Sequence, residues 1–354
     1  MAQPLKEMIN ATSVGALADG LASAWAPFPR DRFTAAALSG LDGLELKDRV
    51  RHVSTALGDA LALPFTDAAA ALRESAAGLD MWSGWPATDY VATHGLDHLS
   101  ASMATLAALT PHATAEFAVR PYLERYEHEA LSIMCGWAES DDEHLRRLAS
   151  EGSRPRLPWA SRVRWLMAPG PTYPILERLR DDPSGYVRRS VANHVNDLTK
   201  DHPAEALALL ARWQGEGGSH LEAVLRHAVR GLLRAGHTDA LSLVGATPGS
   251  GTVDSLELAV TEVPVGAHLP FTVTITAGTA GPLVLRYAVV RDGSRRVFHL
   301  AERTATPEVR TFTITKRHSF RPVTTRVEPP GPRTLEIIVN GHPRATAPFT
   351  LTPS

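Results

Sequence analysis

Near residue 250 of this 354-residue chain the apolar spacing changes period, and no single packing solution accommodates both halves. Before that point the pattern is helical. Leu207, Leu209, Leu210 and Trp213 follow Pro203, a residue suited to a first helical position. Ser219-His-Leu-Glu222 has the spacing of a capping box, opening a helix through Val224, Leu225, Ala228, Val229, Leu232 and Leu233 to a C-terminal Gly236. Beyond 250 the period is two. Val253–Val260, Phe271–Thr276, Leu283–Val290, Val297–Leu300, Thr311–Thr315 and Leu335–Val339 alternate or are β-branched. Asp292-Gly293 and Asn340-Gly341 are hairpin-turn dipeptides closing two of these runs. Six or seven short strands in about 100 residues predict an immunoglobulin-like β-sandwich. The expected organisation is a helical domain over 1–245, a breaker-rich linker over 246–252 and the sandwich over 253–354.

The helical part contains a degenerate repeat: Leu145-Arg-Arg-Leu-Ala149, Val187-Arg-Arg-Ser-Val191 and Leu225-Arg-His-Ala-Val229. Copies about 40 residues apart are the mark of HEAT-type helix pairs, so an α-α superhelix with a concave binding face is expected. Charge is unevenly spread. Residues 1–143 carry 9 basic against 20 acidic side chains, 144–250 carry 15 against 10, and 251–354 carry 12 against 8. A basic middle and tail behind an acidic start is what a polyanion-binding surface would produce. Of 36 basic residues 32 are Arg, which suits bidentate phosphate contacts, although GC-rich coding gives the same bias.

Several function classes are excluded or weakened. The chain has no nucleotide-binding glycine loop, no nucleophile elbow and no HExxH zinc motif. The single cysteine, Cys135, excludes a disulfide framework, and its apolar flanks give a thiolate no basic neighbour. His94 and His98 have an i,i+4 spacing open to a metal, but no third ligand stands nearby. No apolar run of about 18 residues occurs, and the N-terminus resembles neither a signal nor a transit peptide. A soluble cytoplasmic protein is expected. Without an exposed apolar heptad seam, it should be a monomer.

Three segments carry candidate chemistry. In Glu116-Phe-Ala-Val-Arg-Pro-Tyr-Leu123, Glu116 falls beside an apolar helix face and needs a partner or a use. In Leu148-Ala-Ser-Glu151-Gly-Ser-Arg154-Pro-Arg156-Leu-Pro-Trp159 a helix ends in a Gly/Pro-rich turn that crowds Arg154, Arg156 and Trp159 together. Basic residues interleaved with an aromatic ring are a nucleic-acid footprint. Arg147 and Glu151 stand i,i+4 on that helix, which also fits an ordinary surface ion pair. In the third segment, Asn193, Asn196, Asp197 and Lys200 form one polar stripe on a helix whose buried face is Val187, Val191, Val195 and Leu198. Such a stripe is either a solvated face or, on the concave side of a solenoid, a ligand surface.

These segments together resemble the AlkC branch of the HEAT-repeat, AlkD-like alkylpurine DNA glycosylases. EFAVRPYL, LASEGSRPRLPW and SVANHVNDLTKDHP keep their order and spacing over about 115–215, whereas the first hundred residues match only in helical character. One subgroup of the branch also carries an immunoglobulin-like domain. The resemblance implies excision of N-alkylated bases (3-methyladenine, with 3-methylcytosine or 1-methyladenine also open) from double-stranded DNA by N-glycosidic hydrolysis, without a cofactor, a metal or a base-flipping pocket. Nucleoid association follows from such a substrate. The resemblance places Glu116, Glu151 and Asp197 as the catalytic carboxylates and Trp159 beside the lesion sugar. Arg147, Arg154, Arg156, Asn193 and Lys200 become DNA-site residues, with Arg147 and Arg154 holding phosphate or the carboxylates. The sandwich would clamp the duplex.

A non-catalytic helical scaffold binding DNA or protein is the alternative, since fold does not imply function. Carboxylates scattered over opposite faces would favour that scaffold. A metal hydrolase built on His94 and His98 is a third reading, without identifiable further ligands.

Overall fold

Capping and proline chemistry set most helix starts in the computed structural model, which describes residues 4–322 and 328–353. Among them, fifteen α-helices precede the strands. The first six are α1 (Ala11–Ala24), α2 (Arg30–Leu38), α3 (Leu46–Leu61), α4 (Phe65–Ser75), α5 (Met81–His94) and α6 (Leu99–Leu109). Next come α7 (Arg120–Arg125), α8 (Glu127–Trp137), α9 (Glu143–Gly152), α10 (Tyr173–Leu179) and α11 (Gly185–Asp201). Last are α12 (Pro203–Glu216), α13 (Leu221–Ala228), α14 (Arg230–Ala235) and α15 (Thr238–Leu243). Reciprocal capping boxes, Asn10 with Ser13 and Asp80 with Ser83, open α1 and α5. Asp142 and Ser184 accept the backbone N–H groups of His144 and Tyr186 at the starts of α9 and α11.

The first two repeat copies fall on α9 and α11, and the third on the end of α13, with Val229 as its C-cap. Their second position has a mechanical meaning. Arg146 donates to the carbonyls of Ser140 and Asp141, and Arg188 to those of Asp182 and Pro183, six and five residues upstream in each case. A guanidinium in the first turn thus ties its helix to the loop that feeds it. Arg146 also pairs with buried Asp182 at 2.6 Å, linking successive repeats. In the third copy Arg226 instead pairs with Glu302 at 2.8 Å.

One helix start differs from expectation. The capping box at Ser219–Glu222 does not form: His220 is the N-cap of α13, without a side-chain cap, and the run breaks at Val229 before α14. Gly236 does close α14 in the left-handed region, at φ 78°.

The strands are β1 (Thr252–Leu258), β2 (Glu262–Pro264), β3 (His268–Thr276), β4 (Gly281–Arg291), β5 (Ser294–Ala305), β6 (Thr311–Ser319), β7 (Gly331–Val339) and β8 (His342–Thr352). They form two sheets, β1-β3-β6 and β2-β8-β7-β4-β5, antiparallel except for β2 against β8. Leu269, Phe271, Val273 and Ile275 of β3 alternate inward against Leu285, Tyr287, Leu335, Ile337 and Val339. The helical-repeat region followed by an immunoglobulin-like sandwich is the architecture expected from the change of period.

The chain divides into two compact units, Met1–His202 and Pro203–Ser354. The division precedes the change of period because α12–α15 belong with the sandwich, where α14 packs on β5. All the candidate site residues lie in the first unit.

Candidate active site

The turn before α7 carries Glu116. Pro121 lacks an N–H and suits a first helical turn, so the helix starts only at Arg120 and Glu116 is not on a helix face as expected. Its carboxylate is half-buried, 2.5 Å from Arg147 Nη2, and accepts the Thr114 hydroxyl at 3.0 Å. Thr114 in turn accepts from Arg147 Nη1 at 2.7 Å. Arg147 projects from α9 and stands 3.8 Å from Glu151 Oε1, one turn further on the same helix.

Glu151 is the centre of the arrangement. Its Oε1 takes Arg154 Nη1 at 2.6 Å and its Oε2 takes the Ser190 hydroxyl of α11 at 2.7 Å. Arg154 then reaches Asp197 Oδ2 through Nε at 2.9 Å, and Lys200 reaches Asp197 Oδ1 at 3.1 Å. The result is an alternating ladder, Glu116, Arg147, Glu151, Arg154, Asp197, Lys200, built from two turns and two helices. Side-chain exposure falls along it from 13% at Glu116 through 9% at Glu151 to 1% at Asp197. Carboxylates this close would repel one another if unpaired; the interleaved cations remove that penalty. Burial opposes the Arg154 charge, but Glu151 and Asp197 outweigh it and hold its pKa above the ordinary arginine value.

The polar stripe of α11 is therefore not a solvated face. Asn196 and Asp197 are buried, Asn193 is half-buried and only Lys200 is exposed. Arg156 stands apart from the ladder in a bidentate pair with Asp201, Nε to Oδ2 being 2.7 Å, and this pair draws the Asp201 pKa down.

Trp159 is 63% exposed and sits at φ 66°, a left-handed conformation rare for a bulky residue. It lines a cleft of about 390 Å³ together with Trp85, Phe117 and Pro121. Phe117 stacks on Trp85 at 5.6 Å.

Several residues that pattern reading passed over complete the site. Arg120 is almost fully buried and spends its guanidinium on carbonyls, those of Gly152 (3.0 Å), Arg154 (2.7 Å) and Ser161 (2.9 Å), which fixes the turn bearing Arg154 and Trp159. Burial lowers its pKa to about 10; Glu124 opposes that, and the Arg154 charge adds to it. His194 is wholly buried between Thr172 Oγ1 (3.1 Å) and the Ser150 carbonyl (2.9 Å). A carbonyl only accepts, so Nδ1 carries the proton. Burial pushes its pKa down to about 4. Tyr186, 45% exposed, places its ring 5.3 Å from the Arg147 guanidinium. Thr114, Ser190 and Tyr186 gave no signal because isolated hydroxyl and aromatic residues are common everywhere.

His94 stacks on Tyr90 at 4.6 Å and His98 on Phe65 at 5.2 Å. Cys135 is half-buried, and burial, with Glu139 nearby, raises its thiol pKa. No helix among the described residues is long and apolar enough to cross a membrane.

The family model for the "Uncharacterised protein YhaZ, C-terminal Ig-like domain" matches residues 252–353. The "Uncharacterized protein YhaZ" of Bacillus subtilis (strain 168) is 35% identical over 353 residues, 98% of either chain. The structure of the Pseudomonas fluorescens alkylpurine DNA glycosylase AlkC, bound to DNA containing an abasic site analog, is 33% identical. It covers 99% of this chain and 100% of its own, with a TM-score of 0.91. The chain belongs to the AlkC family. The likeness runs the length of this AlkC-family chain, so its first hundred residues, which the motifs alone did not reach, share the family fold.

Proposed function

We propose that the chain is a DNA glycosylase that excises N-alkylated bases, of the 3-methyladenine type with 3-methylcytosine and 1-methyladenine as further candidates, from double-stranded DNA. The observation that carries this reading is the ladder: Glu116, Glu151 and Asp197 come from three separate segments and meet in one arginine-bridged line. Membership of the AlkC family and the DNA held by the Pseudomonas fluorescens relative support it.

The chemistry follows from charge. An alkylated base is cationic, and when the C1′–N bond breaks its electron pair stays with the base, which leaves neutral. The positive charge passes to the sugar as an oxocarbenium-like centre. Fixed carboxylates stabilise that charge and orient the water that adds to C1′, with one of them taking the water's proton. Arg154 and Arg147 hold the carboxylates rather than phosphate. Lys200, at the exposed end of the ladder, would exchange its Asp197 pairing for a DNA phosphate, and Arg156 and Asn193 are DNA-site residues of the same region in this reading. In this reading the chemistry uses no base-flipping pocket, and none of the three carboxylates is among the residues lining the cleft beside Trp159. Trp159 presents its indole beside the lesion sugar.

Release of free base from methylated duplex DNA by the full chain tests the activity. One feature favours the scaffold alternative: every carboxylate of the ladder already has a cation. Binding of duplex DNA with no release would establish that alternative.

A further inference from the structure

The turn after α9 is gripped from two sides. From within, Arg120 binds the carbonyls of Gly152, Arg154 and Ser161. From α3, Lys47 Nζ donates to the carbonyl of Trp159 itself, 112 residues away in sequence. The same ammonium lies 5.9 Å from the centroid of Phe117, whose ring stacks on Trp85. Lys47, Phe117, Trp85 and Trp159 thus surround one cleft. An exposed indole at φ 66° has little packing to keep it there, and the left-handed region costs a bulky residue on the order of 1 kcal/mol or more. Something must hold the backbone, and the carbonyl bond from Lys47 acts at the strained residue itself.

We propose that Lys47 is a positioning residue: its bond to the Trp159 carbonyl fixes the left-handed backbone that presents the indole, which gives the acidic N-terminal segment a part in the site. The catalytic consequence rests on the glycosylase reading, whereas the tether does not. Lys47→Met removes the donor at similar length, and Lys47→Arg restores one.

The test uses the full chain labelled with 5-fluorotryptophan. The fluorine resonance lost in Trp159→Phe is that of Trp159, one of seven tryptophans. Lys47→Met should shift or broaden that resonance and leave those of the tryptophans outside the cleft in place, and Lys47→Arg should return it towards its original position. At saturating methylated duplex, the single-turnover rate should fall about tenfold in Lys47→Met and recover in Lys47→Arg, with affinity and its salt slope unchanged. An unmoved Trp159 resonance in Lys47→Met overturns the tether. A lower affinity and a flatter salt slope with the saturating rate intact make Lys47 a phosphate contact and overturn it too. If the wild type releases no base, the glycosylase reading fails, and the fluorine resonance still decides the tether.

Discussion

Arg154 joins two carboxylates on different helices and is itself 7% exposed, so the ladder depends on it more than on any other cation. Arg154→Met leaves Glu151 and Asp197 short of a partner in a buried setting. The expected cost is about 3–5 kcal/mol, read from the shift of the urea midpoint. Trp159 gives a contrasting prediction, because its backbone rather than its packing is costly. Trp159→Gly should be more stable than Trp159→Ala by about 1 kcal/mol, since only glycine enters the left-handed region freely. Equal midpoints for those two variants would mean the turn relaxes to a negative φ. At this scale the sequence was legible wherever partners are local. Arg147 and Glu151 could be paired by their i,i+4 spacing, while Arg154 and Asp197, 43 residues apart, could not. Lys47 was illegible altogether: nothing in an acidic stretch marks one lysine as reaching Trp159.

Among the elements, the two hairpins share a turn and differ in what the turn residue does. Asp292 and Asn340 both take positive φ, 46° and 44°, each followed by a left-handed glycine. Asp292 is exposed, whereas the Asn340 side chain accepts the Val284 N–H at 2.8 Å and donates to the Thr247 carbonyl at 2.9 Å. Asp292→Gly should therefore change stability by less than about 0.5 kcal/mol. Asn340→Gly keeps the turn but orphans buried groups and should cost about 2–3 kcal/mol, read from the same urea midpoint. Both turns could be read from their dipeptides, yet β8 could not be read beyond its turn. Pro343 and Pro348 argue against a strand that has a neighbour on each side. The fold accommodates them because β2 pairs only with Thr350–Thr352, leaving that edge of β8 open along both prolines. The capping box at Ser219 failed for a related reason: a local pattern states what a helix start could use, and the chain used His220 instead.

For the whole molecule, acid should be the more damaging direction. His194 in the first unit and His318 in the second are both held neutral by burial, each with its pKa lowered to about 4. The unfolded chain takes up protons at these sites near pH 6.5 and the folded chain does not, so stability is full above that pH and declines as pH falls towards 4. For wholly buried His194 the loss amounts to about 3 kcal/mol, and His194→Gln should flatten the dependence of the melting temperature on pH over that window. The change of period near 250 made both architectures legible, but not the division at His202, because helical periodicity does not say which core a short helix joins. The central claim is that the ladder performs the chemistry. Its most direct test is base release from methylated duplex under single-turnover conditions, comparing the wild type with Glu151→Gln and Asp197→Asn after checking that both variants fold and bind DNA. The account predicts release by the wild type and a fall of at least about 100-fold in each variant. Wild-type rates in both folded variants would show that the carboxylates only hold the repeats together.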